Sequence, residues 1–378
     1  MSCYNRPMTT GSELLEGLNS AQKEAVETVD GPLLIVAGPG SGKTRVITHR
    51  IAYLVSEYGI NPYNILAMTF TNKAAREMRD RLNRLIGSRS EYMTVGTFHS
   101  FCAKLLRWDG QYLGLESNYS IYDADDQIKI VKESMELADV DPKRFAPRAV
   151  LGTISKAKNA LWDAPMFAKN ADPDNYFEER AARVYRHYEE SLTRNNALDF
   201  DDLLMKSVQL LREFPEVKKK YQDRYQYIMV DEFQDTNTAQ YQLAKFLGES
   251  HKNICVVGAP DQSIYSWRSA DIRNILSFQQ DYAQSKTITL DQNYRSTSTI
   301  LDAAKNLISI NGQRIPKDLF TDNDKGEKVQ VREAYDEGEE AAFVVSESAR
   351  LVREDGFNPG DCAIMYRVNA QSRALEEA

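Results

Sequence analysis

The sequence predicts an α/β fold in which a parallel sheet carries a helical insertion and is followed by the start of a second α/β domain. Short apolar runs alternate with helically spaced segments over residues 32–97 and again over residues 198–290. This alternation is typical of βαβ units, whose strands form a parallel sheet. From about residue 116 to residue 200 the strand signal fades and helical spacing dominates, which indicates helices inserted into the sheet domain.

The composition bounds the size and class of the protein. A length of 378 residues predicts two or three domains, and 42% hydrophobic with 27% charged residues is ordinary for globular domains. The net charge of −8 argues against a generally basic nucleic-acid binder, but it says little about one local groove.

Cysteine usage and hydropathy indicate the compartment. Cys3, Cys102, Cys255 and Cys362 are far apart and form no metal-ligand pattern, as expected of reduced, cytosolic thiols. No apolar run approaches ~18 residues, and the N-terminus lacks the apolar core of a signal peptide. We therefore expect a cytoplasmic, monomer-capable enzyme without membrane contact.

The first predicted strand, residues 32–36, ends in the octapeptide Ala37-Gly-Pro-Gly-Ser-Gly-Lys-Thr44. Apolar residues at positions 46, 47, 51 and 54 continue it as a helix. Glycines at such a strand-to-helix turn let backbone N–H groups face an anion. Lys43 would reach the β- and γ-phosphates of a nucleotide, and the Thr44 hydroxyl would hold Mg²⁺. A glycine-rich turn without function is the alternative, but the lysine, the hydroxyl and the flanking elements all speak against it.

A short helix is predicted before this strand, over residues 18–26, with Asn19 as its N-cap. Gln22 has two interpretations. It is either a surface residue or a reader of an adenine edge, because an amide donates and accepts at once.

The second and third strands, residues 65–70 and 93–97, also end in polar residues. After the second comes a net basic helix over residues 74–85, which is either a solvated face with i,i+4 ion pairs or a phosphate-contacting edge. The third ends in Phe98-His99-Ser100. Ligands of parallel sheets gather at the C-terminal ends of the strands.

Helices are predicted in the insertion over residues 124–138, 148–161 and 174–194. Residues 143–162 contain no acid but five basic residues, namely Lys143, Arg144, Arg148, Lys156 and Lys158. The segment is either a solvated surface or a contact for a polyanion.

The fourth strand, residues 227–230, leads into Asp231-Glu232-Phe233-Gln234-Asp235-Thr236. Asp231 would hold the water shell of Mg²⁺, and Glu232 would polarise the attacking water. A lone acid pair is a weak signal, but an upstream phosphate loop makes it strong.

A further strand, residues 254–258, precedes a loop that contains Gln262, Tyr265, Trp267 and Arg268. Gln262 lies where a γ-phosphate is sensed, and aromatic rings beside a guanidinium suit base stacking on single-stranded nucleic acid. The alternative for Trp267 is a place in the core.

After a strand at residues 287–290, Arg295 is a candidate arginine finger and Tyr294 a candidate stacking ring. Beyond it we expect helices over residues 297–311 and 336–353 and strands over residues 328–332 and 363–366. Two or three strands with unpaired edges are a poor finished sheet, so we expect the N-terminal part of a longer protein.

In this order, the motifs closely resemble the N-terminal half of superfamily 1A DNA helicases of the UvrD/PcrA/Rep type over nearly all of residues 13–378. Eight segments resemble motifs of the family. They are residues 18–26 (motif Q), 37–44 (motif I), 69–75 (motif Ia), 97–100 (motif Ib), 231–236 (motif II), 262–268 (motif III), 292–296 (motif IV) and 366–373 (motif IVa). The resemblance implies a RecA-like P-loop NTPase domain 1A (residues 1–115 and 201–290), a helical domain 1B (116–200) and a partial RecA-like domain 2A (291–378).

The resemblance also implies ATP-driven 3′-to-5′ movement on single-stranded DNA and at single-strand/duplex junctions, in repair or replication restart, by a monomer or weak dimer. The expected catalytic residues are Lys43, Asp231, Glu232, Gln262 and Arg295. The expected nucleotide site comprises Gln22, Gly38, Gly40, Ser41, Gly42, Lys43, Thr44, Arg45, Tyr294 and Arg295, with Thr44 and Asp231 for Mg²⁺. The expected DNA contacts are Phe70, Asn72, Thr97, His99, Tyr265, Trp267, Arg268, Arg367 and Asn369.

Two departures from the family pattern affect these expectations. The family usually has Gly-Asp-x-Asp-Gln before the sensor, whereas this chain has Gly258-Ala259-Pro260-Asp261-Gln262, so the local hydrogen bonding is open. Motifs V and VI and domain 2B are absent from the sequence. Because motif VI supplies a second arginine finger, the chain alone is expected to bind ATP weakly and hydrolyse it poorly, at a cost of ~10³-fold or more.

Two other functions compete with this interpretation. One is a helicase–nuclease subunit of the RecB/AddA kind, which needs a carboxylate-rich nuclease domain downstream. The other is an ATP-binding, DNA-binding module with little turnover, which the intact Lys43, Asp231, Glu232 and Gln262 speak against.

Overall fold

The computed structural model describes residues 11–172, 174–265, 270–312 and 317–378. These residues divide into two compact units, one reaching to Asp324 and the other spanning Lys325–Ala378. None of the helices in these ranges combines the length and the apolar composition needed to cross a bilayer.

The strands are β1 Leu33–Ala37, β2 Ile65–Thr69, β3 Thr94–Thr97, β4 Ser120–Ile121, β5 Ala197–Leu198, β6 Tyr227–Val230, β7 Ile254–Gly258 and β8 Lys286–Leu290. The helices are α1 Gly11–Leu15, α2 Ser20–Glu27, α3 Lys43–Ser56, α4 Asn72–Ile86, α5 Phe98–Asp109, α6 Ala124–Leu137, α7 Pro147–Asn159, α8 Ala164–Asn170, α9 Tyr176–Arg194, α10 Phe200–Glu213, α11 Pro215–Arg224, α12 Thr238–Gly248, α13 Arg273–Asp281, α14 Ser298–Ile308, α15 Glu337–Glu354 and α16 Ser372–Glu377.

Six parallel strands form the central sheet of the first unit, in the order β3-β2-β6-β7-β1-β8. Both of its faces are covered, because alternate residues of one strand enter different cores. Leu34 and Val36 of β1 belong to one hydrophobic cluster, and Leu33 and Ile35 belong to another. This burial on both faces explains why the strands read as unbroken apolar runs, and it confirms the predicted α/β class.

The predicted helical insertion forms α6 to α9 around a hydrophobic cluster of its own, which includes Tyr185 and Tyr188. The short strands β4 and β5 pair in parallel where the chain enters and leaves these helices. One part of the predicted basic surface is wrong: the side chain of Lys158 is fully buried among acidic groups, whereas Lys143, Arg144 and the other basic residues of that segment are exposed.

The second unit contains α15, where the sequence predicts a helix over residues 336–353, and the short helix α16. The two strands predicted at residues 328–332 and 363–366 are wrong, since those residues form neither strand nor helix in the structure. Alternating or apolar sequence stabilises a strand only when a neighbouring strand supplies hydrogen-bond partners. No described residue of the unit supplies them, and Val331 is 95% exposed.

Candidate active site

The glycine-rich loop, residues 38–42, connects the end of β1 to the first turn of α3. Gly40 and Gly42 have φ angles of +64° and +85°, which L side chains rarely adopt. A Cβ on Gly40 would lie 2.7 Å from Cβ of Arg295 and 2.9 Å from Nδ2 of Asn293. The loop therefore requires glycine here, and it leaves Lys43 at the N-terminus of α3, where helix N–H groups favour an anion.

The stretch after β8 holds the same loop from the other side. Nδ2 of Asn293 donates to the carbonyl oxygen of Pro39 over 2.6 Å, and the backbone N–H of Tyr294 donates to the carbonyl of Gly40 over 3.0 Å. Asn293 is buried, and its Oδ1 accepts from the backbone N–H of Arg295 over 2.9 Å. These contacts bring the predicted Tyr294 and Arg295 to the edge of the loop.

Gln22, the predicted reader of adenine, lies in the first turn of α2 with 1% exposure. Its Nε2 donates to the carbonyl of Ser41 over 2.9 Å, and its Oε1 accepts from the backbone N–H of Asn19 over 3.1 Å. The predicted N-cap, Asn19, is confirmed by the reciprocal bond from Gln22 N–H to its Oδ1. The Gln22 amide thus supports the phosphate loop, with one donor hydrogen and one acceptor lone pair left over.

Lys43 brings together three stretches that are far apart in sequence. Its Nζ lies 2.7 Å from Oε1 of Gln262 and 3.5 Å from Oε2 of Glu232. These residues meet because β6, β7 and β1 are neighbours in a parallel sheet and end at the same edge. The structure therefore joins three of the predicted catalytic residues around one ammonium group.

Asp231 and Thr44 form an oxygen pair beside this lysine. Oγ1 of Thr44 donates to Oδ2 of Asp231 over 3.4 Å. Burial, together with the neighbouring Glu232 carboxylate, raises the pKa of Asp231 to about 6. A buried carboxylate beside a hydroxyl suits a hard divalent cation, and Mg²⁺ in nucleotide sites takes one or two carboxylates while the phosphates complete its shell. The donor set of these two residues fits that ion.

Gln234 connects the acid pair to the stretch after β7. Its Nε2 donates to Oε2 of Glu232 over 2.8 Å and to Oδ2 of Asp235 over 3.1 Å. Its Oε1 accepts from the backbone N–H of Ala259 over 2.8 Å. The alanine that stands where the family pattern has an acid therefore keeps a hydrogen bond to the acid-pair stretch through its main chain.

Eleven residues line a cavity of about 370 Å³ at this edge of the sheet. They are Gly40, Ser41, Gly42, Lys43, Thr44, Arg45, Arg81, Glu232, Gln262, Tyr294 and Arg295. All of them except Arg81 were expected in the catalytic or nucleotide set, so Arg81 is the addition. Asn19 borders the cavity, since its Nδ2 donates to the hydroxyl of Tyr294 over 2.8 Å.

Aromatic rings lie at the neighbouring strand ends. The rings of Phe70, after β2, and Tyr265, after β7, have centroids 5.0 Å apart. The ring of His99, in the first turn of α5, lies 5.6 Å from that of Phe200, which is 50% exposed. The strand ends thus offer two pairs of rings on the first unit.

The remaining predicted DNA contacts have different surroundings. Asn72 is exposed in the first turn of α4, and Thr97 is buried as the N-cap of α5. Trp267 and Arg268 lie outside the described residues. Arg367 and Asn369 are exposed in the second unit.

Sequence reasoning missed several residues of the site. Arg81 was one basic residue among several on a helix face, and no spacing marks it out. Phe200 directly follows Asp199, the N-cap of α10, and it is 50% exposed. An aromatic residue directly after an N-cap was the signal that the sequence offered. Lys317 is buried with its Nζ 3.1 Å from the carbonyl of Ala37, at the start of the phosphate loop, and only the fold reveals that contact.

A parallel sheet with a glycine-rich loop after one strand and an acid pair after a neighbouring strand defines a P-loop nucleotide-binding α/β domain. The family model for the UvrD/REP helicase N-terminal domain matches residues 18–283, and that for the UvrD-like helicase C-terminal domain matches residues 288–378. The chain belongs to the UvrD/REP helicase family.

Curated relatives carry a helicase name. The ATP-dependent DNA helicase PcrA of Staphylococcus aureus (strain Mu50 / ATCC 700699) is 52% identical over 364 residues. The protein of the same name from Staphylococcus epidermidis (strain ATCC 12228 / FDA PCI 1200) is 50% identical over 364 residues. Each alignment covers 96% of this chain and 50% of the relative, so the chain spans about half the length of the curated relatives it matches.

Proposed function

We propose that this chain is the motor portion of an ATP-dependent DNA helicase that moves 3′-to-5′ on single-stranded DNA. One observation carries the proposal: Lys43 contacts both Glu232 and Gln262, and Gln262 lies three residues before Tyr265, whose ring is paired with Phe70. A sensor of the nucleotide and a surface for bases therefore share one short loop. Family membership and the names of the relatives support the same activity.

The residues around Lys43 can divide the chemistry of ATP hydrolysis among them. Lys43 and the loop N–H groups bind the phosphates, and Glu232 orients the attacking water and accepts its proton. Gln262 and Arg295 stabilise charge on the γ-phosphate. Thr44 and Asp231 would hold Mg²⁺, which supplies charge neutralisation on the phosphates when bound.

The base of the nucleotide belongs, in this proposal, beside Arg45 and Tyr294. Both residues line the cavity, and Gln22 donates to the carbonyl of Ser41 in the adjoining phosphate loop. A planar guanidinium and an aromatic ring are suited to sandwich a purine. Arg81, which is also paired with Glu77 on α4, brings a guanidinium to the same cavity, where it can contact an anionic ligand.

Single-stranded DNA would follow the rings at the strand ends. Phe70, Tyr265, His99 and Phe200 supply stacking surfaces, and each stacked base is worth roughly 1–3 kcal/mol. Asn72, Thr97, Trp267, Arg268, Arg367 and Asn369 are the further proposed contacts.

We assign residues 1–115 and 201–290 to domain 1A, residues 116–200 to domain 1B and residues 291–378 to part of domain 2A. We also infer a cytoplasmic protein that acts as a monomer or weak dimer. It would work at single-strand/duplex junctions in repair or replication restart.

The test is ATP hydrolysis by the whole protein with and without single-stranded DNA. We expect stimulation by DNA, and loss of turnover in the Lys43→Ala variant. Displacement of streptavidin from biotinylated oligonucleotides then reports direction: 3′-to-5′ movement clears the 5′ end faster than the 3′ end. ATP turnover that single-stranded DNA does not stimulate would contradict the helicase assignment. Faster displacement of streptavidin from the 3′ end would contradict the proposed polarity.

A further inference from the structure

A buried cluster of charges joins the helical insertion to the sheet domain. Nζ of Lys158, in the last turn of α7, lies 2.6 Å from Oε1 of Glu189, 2.8 Å from Oδ2 of Asp199 and 2.8 Å from Oδ1 of Asp202. The lysine side chain is 0% exposed, and the hydroxyl of Tyr188 also donates to Oδ2 of Asp199 over 2.9 Å. A fully buried ammonium with three carboxylates fixes the end of α7 against the start of α10.

The same cluster fixes the position of Phe200. Asp199 caps α10, with Asp202 N–H donating to its Oδ1 over 2.7 Å and its own N–H donating to Oδ2 of Asp202 over 3.1 Å. Phe200 is the residue between this cap and the body of the helix. Its ring, which contacts His99, is therefore mounted on a backbone segment that the Lys158 contacts hold.

Asn159, the next residue after Lys158, bridges two other stretches. Its Nδ2 donates to Oδ1 of Asp201 over 2.9 Å, and its Oδ1 accepts from Nδ2 of Asn237. Asn159 and Asn237 are 8% and 6% exposed, so water does not readily replace either partner. A buried polar group that loses its partner is costly, which makes this bridge a strong constraint on both stretches.

Asn237 lies at the end of the stretch that carries the acid pair. It is six residues after Asp231, and its Oδ1 caps α12 by accepting from Gln240 N–H over 2.9 Å. Residues 233–236 between them are buried, and Oγ1 of Thr236 donates to the carbonyl of Phe233 over 2.7 Å. Little freedom remains between the catalytic carboxylates and Asn237.

We propose that Asn159 is a positioning residue that couples DNA contact to ATP hydrolysis. One end of its amide holds the stretch of Phe200, and the other end holds the stretch of Asp231 and Glu232. A shift of the Phe200 segment when a base stacks on it is transmitted through Asn159 to Asn237 and the acid pair. The inference rests on the proposed function, because it assigns a coupling role within that motor.

Two variants cut the bridge at different points in the whole protein. Asn159→Ala removes both hydrogen bonds of the bridge, together with the local bond from Nδ2 of Asn159 to the carbonyl of Ser155. Asn237→Ser removes the bond to Asn159 but leaves a good N-cap for α12. Because each variant loses the hydrogen bond between Asn159 and Asn237, we expect the ratio of ATP turnover at saturating single-stranded DNA to DNA-free turnover to fall about 3–10-fold in each variant. DNA-free turnover and the KM for ATP should stay within about twofold of wild type.

A double-mutant cycle and a matched control separate coupling from a loss of structure. Because both variants break one bridge, the double variant should lose no more stimulation than either alone. Asn170→Ala, an exposed asparagine on α8 whose Nδ2 donates to the carbonyl of Met166, should keep full stimulation. Additive losses, or equal falls in DNA-free and DNA-stimulated turnover, would overturn the coupling role. A wild-type protein without any stimulation would instead overturn the proposed function, and this inference with it.

Discussion

Glu232 adopts a left-handed backbone conformation directly after β6, with φ of 52° and ψ of 44°. A non-glycine residue in this region stores strain on the order of 1–3 kcal/mol. The conformation is held by the Glu232 N–H, which donates to Oδ1 of Asp231 over 2.9 Å, and by Gln234, which donates to the Glu232 carboxylate. The strained turn directs that carboxylate to Lys43, so we read it as part of the site rather than as an accident of the loop.

The Glu232→Gln variant tests this assignment. The amide keeps the shape of the side chain but cannot accept a proton, so turnover of ATP should fall by about 10²-fold or more. Binding of ATP should stay close to wild type, because the phosphate loop and Lys43 are unchanged. Steady-state hydrolysis and nucleotide titration of the same preparation measure the two effects. Glu249→Gln is the matched control, because Glu249 forms an exposed ion pair with Lys218. Retained turnover in Glu232→Gln would show that Glu232 is not the general base.

Asp235 offers a pH-dependent test of the same stretch. Burial and the nearby Glu232 raise its pKa from 3.8 to about 6. The folded protein therefore binds this proton more tightly than the unfolded chain does. The stability that the proton contributes is present below pH 4 and is lost as pH rises through 6. Asp235→Asn should abolish this fall and raise the free energy of unfolding at pH 7.5 by about 1 kcal/mol, after allowance for solvent screening.

Chemical denaturation at several pH values between 4 and 8 measures the difference between wild type and the Asp235→Asn variant. Asp223→Asn is the control, since that carboxylate is exposed and pairs with Lys219 one turn away. If the two proteins lose stability in parallel across this range, the raised pKa of Asp235 is not the cause.

At the scale of single residues, the sequence predicted those whose role follows from a local pattern. Lys43 and Thr44 are defined by the loop that precedes them, and Asp231 and Glu232 by the strand that ends before them. Arg81 and Asn159 have no such local signature. Arg81 pairs with Glu77 one turn away, as a solvated helix residue does, and only folding brings it to the cavity wall and Asn159 to Asn237. A residue that acts through long-range contacts cannot be distinguished from a solvated helix residue by spacing alone.

The second helix, α2, is held in place by a buried arginine of α3. NH1 of Arg50 donates to the carbonyl of Ala25 over 3.0 Å, and NH2 donates to that of Val29 over 3.0 Å. Arg50 also contacts the carbonyl of Thr28, so it satisfies the orphan carbonyls at the end of α2. Gln22 at the other end of this helix supports the phosphate loop, which makes Arg50 a long-range determinant of the nucleotide site.

Replacement of Arg50 by methionine should destabilise the protein by about 3 kcal/mol, because three backbone carbonyls lose a charged donor. The KM for ATP should rise, because Arg50 no longer holds α2 in place and Gln22 on this helix contacts the phosphate loop. Arg84→Met, on the exposed face of α4, should change stability by no more than about 0.5 kcal/mol. Thermal unfolding and ATP saturation curves measure both effects. If the Arg50→Met protein is destabilised but keeps a wild-type KM for ATP, the position of α2 does not determine nucleotide binding.

The first turn of α10 belongs to the proposed DNA surface through Phe200. Phe200→Ala should weaken binding of a single-stranded oligonucleotide by about 5–150-fold, the range of one lost stacking contact. Folding should be little affected, because the ring is 50% exposed. Tyr58→Ala, at a ring that is 54% exposed two residues after α3, serves as the control. Fluorescence anisotropy at one fixed salt concentration gives the affinities; equal affinities for the two variants would exclude Phe200 from the path of DNA.

At the scale of elements, the strands of the central sheet were predictable because parallel strands buried on both faces are continuous apolar runs. The helices of the insertion were predictable from their amphipathic spacing. The short pair β4 and β5 was not, since two residues a strand leave no period to detect. The strands expected at residues 328–332 and 363–366 failed for the opposite reason: their residues have strand-like character, but a strand exists only with a partner.

At the scale of the whole molecule, the two compact units differ in how their backbones are satisfied. In the first unit, β6 is flanked by β2 and β7, and its residues are buried. In the second unit, residues 325–334 form neither helix nor strand and are almost entirely exposed. Local stability follows burial and backbone hydrogen bonding, so amide exchange should differ sharply between the two segments.

Hydrogen–deuterium exchange of the 378-residue chain, read peptide by peptide, measures this difference. Peptides from β6 and β7 should exchange only through global unfolding. The peptide covering residues 325–334 should exchange at the rate of an unstructured chain, since no ladder protects it. The α15 peptide is the internal control, because its amides are hydrogen-bonded within the helix although most of its residues lie at or near the surface. Protection of residues 325–334 beyond that of α15 would mean that a strand forms at 328–332 after all, and that its period-2 sequence finds a partner in solution.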